Sequence, residues 1–435
     1  MPLAGGRRLF QAVILLSICL MLWNVASFLF DIPVSVPNRL FFHGLDHKAF
    51  VPMDLEVNYA TAHMVAHSGF SQIYDYRTMQ YHGHGLALRS DNFLYPEIAP
   101  RIFQRYISTP FSIFLYLPLT LFSFDTAYKI WVVGSAILFS ATLVILLRGK
   151  SLEFVALALL TCSFFLPMQA DLLFGQTNTI LLFLLALFLF LLEKRQDLAA
   201  SAIWALMIQI KVIPAIWGLY FLRKRKYRFL LLSALFVGLL CLFPLALLGS
   251  KPLVFFVKEV FPTISSGNFH YFNHGLYGFV GRLFYAHGPL GPSEGINGML
   301  DSRAVYVSKL LSVGILLVVW FLTKREYITR DLPENNEVSL YVLTMLLISP
   351  VTWFHYLMIL LIPFFLMLGD TMGKGKHRFL TGALFIACFS AINVFPFSRK
   401  QSLVLIRFVA LSALWLFFAF GSWQDKIRCS EKPQP

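Results

Sequence analysis

Residues 175–226 read GQTNTILLFLLALFLFLLEKRQDLAASAIWALMIQIKVIPAIWGLYFLRKRK. Two apolar runs, 178–192 and 198–222, are parted by the charged turn Glu193-Lys194-Arg195-Gln196-Asp197 and closed by Arg223, Lys224, Arg225, Lys226 and Arg228. A bilayer core about 30 Å thick takes roughly 20 apolar residues of helix, and a helix satisfies its own backbone groups there. The pattern therefore reads as membrane helices whose orientation is set by basic loops.

The same alternation runs outward in both directions. Apolar runs lie at Leu9–Phe30, behind Arg7 and Arg8, and near 108–124, 126–147, 152–174, 229–248, 304–323, 338–369, 379–396 and 402–422. They predict an all-α polytopic membrane protein with ten to thirteen transmembrane helices, residues 1–435 forming a single integral membrane domain. A cleaved signal peptide is the alternative for the first run. That run exceeds the usual apolar length of roughly 7–15 residues and ends on no small-residue cleavage motif, so a retained span is expected. The lipid bilayer is thus the first partner the sequence implies.

Composition agrees. Of 435 residues, 58% are hydrophobic and 13% charged, against about 45–50% and about 25% in soluble domains. The net charge of +14 is spread over short loops beside apolar runs, where it orients helices and argues against a nucleic-acid partner. Five cysteines, four of them inside apolar runs, have no metal-ligand spacing, so neither a disulfide frame nor a zinc site is expected. No metal-binding residues and no cofactor are predicted.

If the clusters at Arg223–Arg228, Lys324–Arg325 and Lys374–Arg378 are cytoplasmic, two segments fall outside: a first extracytoplasmic loop, 31–107, carrying amphipathic helices, and a second, 249–302. The run 338–369 must then bend near Ser349-Pro350, where proline removes a backbone donor. With Lys194 and Arg195 also cytoplasmic, Gly175–Asn178 and the pair Lys211 and Pro214 sit at external tips of shortened helices. The alternative, two full crossings with those charges outside, is less favoured.

Polar groups at membrane depth are costly and mark cavities, pairs or chemistry. Asp54 opens the segment MDLEVNYA, read as a short helix lying on the membrane surface and ended by Gly69. Asp54 is either a general base for an acceptor hydroxyl or a capping acid. Arg101 and Arg105, four apart after Phe93-Leu94-Tyr95-Pro96, either fork onto a phosphate or snorkel to headgroups. Gln176 and Asn178 offer amides to sugar hydroxyls or cap helix ends. Lys211, among Ile208, Ile210, Val212 and Ile213, needs either a lipid-linked phosphate or a buried acid such as Asp171. Asn273-His274-Gly275 precedes Arg282, and Ser349-Pro350-Val351-Thr352-Trp353-Phe354-His355-Tyr356 sets Trp353 and His355 at the expected bend; each is a binding element or a turn.

In order, these phrases resemble glycosyltransferase family 87, the polyprenol-phosphate-mannose-dependent mannosyltransferases of the GT-C fold class. The resemblance rests on Asp54 to Asp75, Phe93–Pro96, Gly175–Asn178, Lys211 with Pro214 before the basic loop, and Ser349–His355, and covers about residues 50 to 360. Glu97, His274-Gly275 and Tyr356 depart from the family pattern, at places that bear on donor and acceptor rather than on fold. The resemblance implies a GT-C transferase of the cell inner membrane that moves mannose or another hexose or pentose from a polyprenyl-phosphate donor. The acceptor would be a glycolipid or polysaccharide hydroxyl on the extracytoplasmic side. It implies Asp54 as general base, Lys211, Arg101, Arg105 and Arg282 at the donor phosphate, and Gln176, Asn178, His355, Asn273, Tyr95 and Trp353 at the sugar or acceptor. A multi-pass transporter or lipid-linked-sugar flippase is the competing class; it would call for repeat symmetry, and no convincing internal repeat is present.

Overall fold

The computed structural model describes residues 4–30, 53–68, 73–74, 106–269, 273–284, 302–324, 335–372, 378–393 and 401–430. Among these residues every regular element is helical, and the all-α membrane architecture expected from the sequence is what is found. Six helices are long and apolar enough to cross a bilayer, and a seventh span results if Leu152–Ser163 and Leu166–Phe174, bent by 50°, count as one. Four shorter apolar helices, Pro110–Leu121, Asn178–Glu193, Asp197–Ile210 and Arg378–Asn393, accompany them. The sequence-based range of ten to thirteen counts these shortened helices as crossings.

In chain order, α1 (Ala4–Leu29) packs on α4 (Leu152–Ser163), the Ser163 hydroxyl reaching the Ser17 carbonyl at 3.1 Å; α2 (Met53–Ser68) and α3 (Phe124–Leu147) lie between them in sequence. Helix α5 (Leu166–Phe174) starts with Pro167 in its first turn and ends on Gly175. Helices α6 (Asn178–Glu193) and α7 (Asp197–Ile210) are packed neighbours joined by a tight turn at Arg195, and α8 (Trp217–Arg223) leads back to the basic loop. Aromatic rings bind α6, α7 and α8 to α9 (Tyr227–Leu248): Phe221 stacks on Phe229 at 4.2 Å, and Trp204 packs on Phe221 at 5.4 Å.

The second loop contributes α10 (Ser250–Phe255), α11 (Phe261–Ser265) and α12 (Leu276–Phe284), followed by α13 (Ser302–Leu322) and α14 (Asn335–Ile348). The chain breaks after Ile348, as the Ser349-Pro350 pair predicts, and resumes through a 3-10 turn (Phe354–Leu360) into α15 (Leu361–Met372). Helix α16 (Arg378–Asn393) packs on α15 and on α17 (Gln401–Ser430), and α17 packs on α14.

Burial is inverted relative to a soluble protein. Val144, Leu231 and Leu310 are each more than 70% exposed on the outward faces of long apolar helices, a distribution stable only against lipid. The buried interior is carried by α14 and the 3-10 turn with α15, where Leu340, Tyr341, Leu357, Met358 and Phe364 are fully enclosed.

Two ends can be told apart. At one, Lys224 pairs with Glu337 at 3.1 Å, Glu337 also accepts from the Lys324 backbone at 2.9 Å, Asn336 donates to Asp425, and Arg148 meets Glu193 at 3.2 Å. At the other, Lys211 and Asn178 hydrogen-bond. The tips carrying Gly175–Asn178 and Lys211–Pro214 therefore face away from Lys194 and Arg195, the arrangement the shortened-helix reading requires.

Helix α2 differs from expectation. Leu55, Glu56, Thr61, Ala62, Met64 and Val65 are all buried, so the segment is enclosed rather than laid on a membrane surface. Its small residues let it pack beneath the 110–121 turns, α3 and α5, and nearly every side of it finds protein.

Candidate active site

The site is assembled where interrupted helices meet. Gly175 closes α5 in the left-handed region, φ 65° and ψ 43°, so that the backbone N–H of Gln176 returns to the Asp171 carbonyl at 3.0 Å. This is an αL helix end of the kind glycine favours. A Cβ at position 175 would run into the side chain of Leu55, so the glycine also allows the α5 tip to touch the first turn of α2. That contact brings the Gln176 side chain to the Asp54 carboxylate, to which it donates.

Asp54 lies in the first turn of α2, where the helix dipole favours a carboxylate. Burial nonetheless dominates: it pushes the Asp54 carboxyl up to about 6, with the Gln176 hydrogen bond and the Lys211 charge pulling the other way. An acid in this range, with a basic form present near neutrality, suits a general base.

Lys211 follows from a break in α7. Helix α7 ends at Ile210, Lys211 is extended at φ −142° and ψ 128°, and Pro214 leads into a 3-10 turn. The Trp204 indole N–H donates to the Pro214 carbonyl at 2.9 Å and takes up one freed acceptor. The Lys211 ammonium donates to Asn178 Oδ1 and sits 3.4 Å above the Tyr356 ring, a cation–π contact. Asn178 is held in turn by Asp171, whose Oδ1 accepts from Asn178 Nδ2 at 2.7 Å while Oδ2 accepts from Thr179 Oγ1 at 2.6 Å and Thr179 N at 3.1 Å.

The 3-10 turn after Trp353 supplies the remaining wall. His355 is buried against Phe174, ring centroids 5.4 Å apart, and against Tyr356 at 5.0 Å; its Nε2 has no hydrogen-bond partner among the described residues. Trp353 is half-buried at the start of the turn. Tyr116, stacked on Trp131 at 5.1 Å, accepts from Asn58 at 3.1 Å and feels the charges of Asp54 and Asp171. A small cleft opens between Asn178, Lys211, Ser349, Tyr356 and Ile359.

Five expected site residues thus converge: Asp54, Gln176, Asn178, Lys211 and His355. Asn273 does other work. Its amide donates to the Asn268 and Pro350 carbonyls at 2.6 and 2.9 Å, and its oxygen accepts from Gly275 N and Thr352 N, both at 3.0 Å. With its amide hydrogens and its oxygen so engaged, Asn273 is a clip that fastens the second loop to the Ser349–His355 phrase. Arg282 donates to the Asn273 carbonyl at 3.3 Å, and burial lowers it to about 10. It stands with His274 and Arg407. The charges of Arg407, Arg282 and His355 reinforce burial in holding the His274 imidazole well below its usual range. Tyr95, Arg101 and Arg105 lie outside the described residues.

Three members of this neighbourhood carry more weight than sequence reading gave them. The sequence marks Asp171 only as a partner for Lys211, and Tyr356 only as a departure from the family pattern. Arg407 was not singled out, although it is the one charged residue of the run 402–422, a signal that marks function or pairing at membrane depth. Its guanidinium lies 4.4 Å over Phe354 and 3.5 Å from His274 Nε2.

The family model for glycosyltransferase family 87 matches residues 106–350. That span contains the Gly175–Asn178 phrase, Asp171, Lys211, Asn273 and Arg282, and stops short of His355. A comparison with curated proteins finds no match. The chain belongs to glycosyltransferase family 87.

Proposed function

We propose that this family member is a GT-C transferase that moves a sugar, mannose or another hexose or pentose, from a polyprenyl-phosphate donor to an acceptor hydroxyl. The reaction takes place on the extracytoplasmic side of the cell inner membrane, with a glycolipid or polysaccharide as acceptor. The observation that carries this reading is the convergence of a half-buried carboxylate, Asp54, and a half-buried ammonium, Lys211, close enough for each to feel the other's charge, at the end of the helices opposite the Lys224–Glu337 pair.

The chemistry follows from that pair. Ionised Asp54 takes the proton of the acceptor hydroxyl; the oxygen forms its bond to the anomeric carbon as the bond from that carbon to the phosphate oxygen breaks. The electron pair leaves with the polyprenyl phosphate, and the configuration inverts. Lys211 meets the charge developing on the phosphate, and a fixed cation in a site shielded from water is far more effective than one in bulk solvent. Gln176 holds Asp54 in place, and the Nε2 of His355, without a hydrogen-bond partner among the described residues, is available to a sugar hydroxyl or a phosphate oxygen. The bend at Ser349-Pro350 supports this reading by placing His355 and Tyr356 beside the α5 and α7 tips.

The test is transfer of radiolabelled sugar from a panel of polyprenyl-phosphate monosaccharides by membranes containing the protein. Label entering a glycolipid or polymer fraction with stoichiometric release of polyprenyl phosphate is expected from one donor. Vectorial movement of an unaltered lipid-linked sugar, with no transfer, would replace this reading with a flippase.

A further inference from the structure

Asp171 is buried and Lys211 half-buried in the same small volume, yet among the described residues they form no contact ion pair. Asn178 stands between them. Its Nδ2 donates to Asp171 Oδ1 at 2.7 Å and its Oδ1 accepts from the Lys211 ammonium. The other Asp171 oxygen is occupied by the Thr179 hydroxyl and backbone N–H at 2.6 and 3.1 Å. The acid is thus surrounded by neutral donors, and the amide is locked in one orientation because reversing it would set its oxygen against a carboxylate and its NH2 against an ammonium.

We propose that Asn178 is a spacer that orients Lys211 without neutralising it, and that Asp171 is the positioning residue that fixes the spacer. The inference rests on the reading of Lys211 as the cation for the donor phosphate, and it assigns to Asn178 a role other than sugar binding. Its physical basis is the distance dependence of charge interaction at low dielectric: a carboxylate in contact with Lys211 would cancel its attraction for an incoming anion, whereas the same charge held one amide further away leaves much of it. The cost of partly desolvating the ammonium is met by the Asn178 oxygen, the Tyr356 ring at 3.4 Å and the more distant charges of Asp171 and Asp54.

A charge swap tests this directly. In the double variant Asp171→Asn/Asn178→Asp, net charge and the number of hydrogen bonds are those of the wild type, but the carboxylate now touches Lys211. Binding of undecaprenyl monophosphate to the purified full-length protein in lipid nanodiscs, together with the KM and kcat for the active donor, provides the readout. Asn178→Asp and the swap are expected to weaken undecaprenyl monophosphate binding by about tenfold or more and to raise donor KM more than they lower kcat. Asp171→Asn alone keeps an amide oxygen that can accept from Asn178 Nδ2, so the spacer stays in place while negative charge is removed from the lysine's surroundings, and it is expected to bind at least as tightly as wild type.

A swap that folds, judged by its melting temperature and size-exclusion profile, and binds as wild type would overturn the proposal. So would a tenfold loss of binding in Asp171→Asn, which keeps the proposal testable if the swap does not fold. Wild type that fails to bind undecaprenyl monophosphate would remove the donor-phosphate reading of Lys211 and this inference with it; wild-type binding with an indifferent swap would remove the inference alone.

Discussion

The backbone of Gly175 rests directly against the side chain of Leu55, leaving no room for a Cβ at position 175. This contact couples the Gly-Gln-Thr-Asn tip to the helix that carries Asp54, one residue from Leu55, and so sets the distance between base and cation from outside the reacting groups.

Gly175→Ala is therefore expected to do two things. The residue has φ 65°, and strain there together with the overlap onto Leu55 costs roughly 1–3 kcal/mol. Because α2 must shift to relieve it, kcat should fall more than donor affinity. Thermal unfolding in detergent and steady-state kinetics measure the two effects separately; unchanged kcat in a destabilised variant would mean that the contact serves stability alone.

The pH dependence follows from Asp54. Its carboxyl is pushed up to about 6 by burial, and only the ionised form accepts a proton. The expected acid limb of kcat/KM falls tenfold per unit as pH drops below about 6. A limb centred near an ordinary carboxylate value would place Asp54 in a wetter setting than the one described.

Glu56 carries no catalytic assignment and pays a clear energetic penalty. It is 2% exposed, both carboxylate oxygens lack a hydrogen-bond partner among the described residues, and burial raises it from 4.5 to about 7. The folded protein holds this proton more tightly than the unfolded chain does. The associated stability is present at low pH and is lost as pH rises from about 4.5 through about 7. Glu56→Gln should raise the melting temperature at pH 8, corresponding to at most about 3 kcal/mol, with little gain at pH 4. Equal melting curves at pH 8 would show that the carboxylate is compensated.

At the opposite end, Glu337 holds Lys224 at 3.1 Å and the Lys324 backbone at 2.9 Å, all three groups being buried. Glu337→Ala leaves a buried ammonium without this partner and is expected to cost about 3–5 kcal/mol. The fraction that remains folded should turn over normally, since the pair lies away from Asp54 and Lys211. Yield of monodisperse protein and specific activity per folded molecule provide the check.

Much of the helical layout is legible in the chain because its cause is one-dimensional. Apolar runs, basic loops and the two prolines 214 and 350 dictate where helices start and break. The convergence of Asp54, Gln176, Asn178, Lys211 and His355 was anticipated as a set of phrases but not as contacts. Which amide oxygen faces which ammonium is decided by helix ends meeting in space, and periodicity does not encode that. Asn273 shows the limit most clearly. An asparagine in a loop beside a histidine resembles a ligand in sequence, and only the four backbone groups around it reveal a clip. Helix α2 misleads for a related reason: acids followed by small and aromatic residues suggest a surface helix, whereas Thr61 and Ala62 serve close packing on its enclosed face.

The central claim is that Asp54 is the base of a transferase whose donor is a polyprenyl-phosphate sugar. The most direct measurement is single-turnover transfer of labelled sugar by purified wild type and Asp54→Asn, with donor binding measured on the same samples. Loss of transfer by at least about a thousandfold with donor binding retained is the expected result. Transfer by Asp54→Asn at a rate near that of wild type would contradict the account.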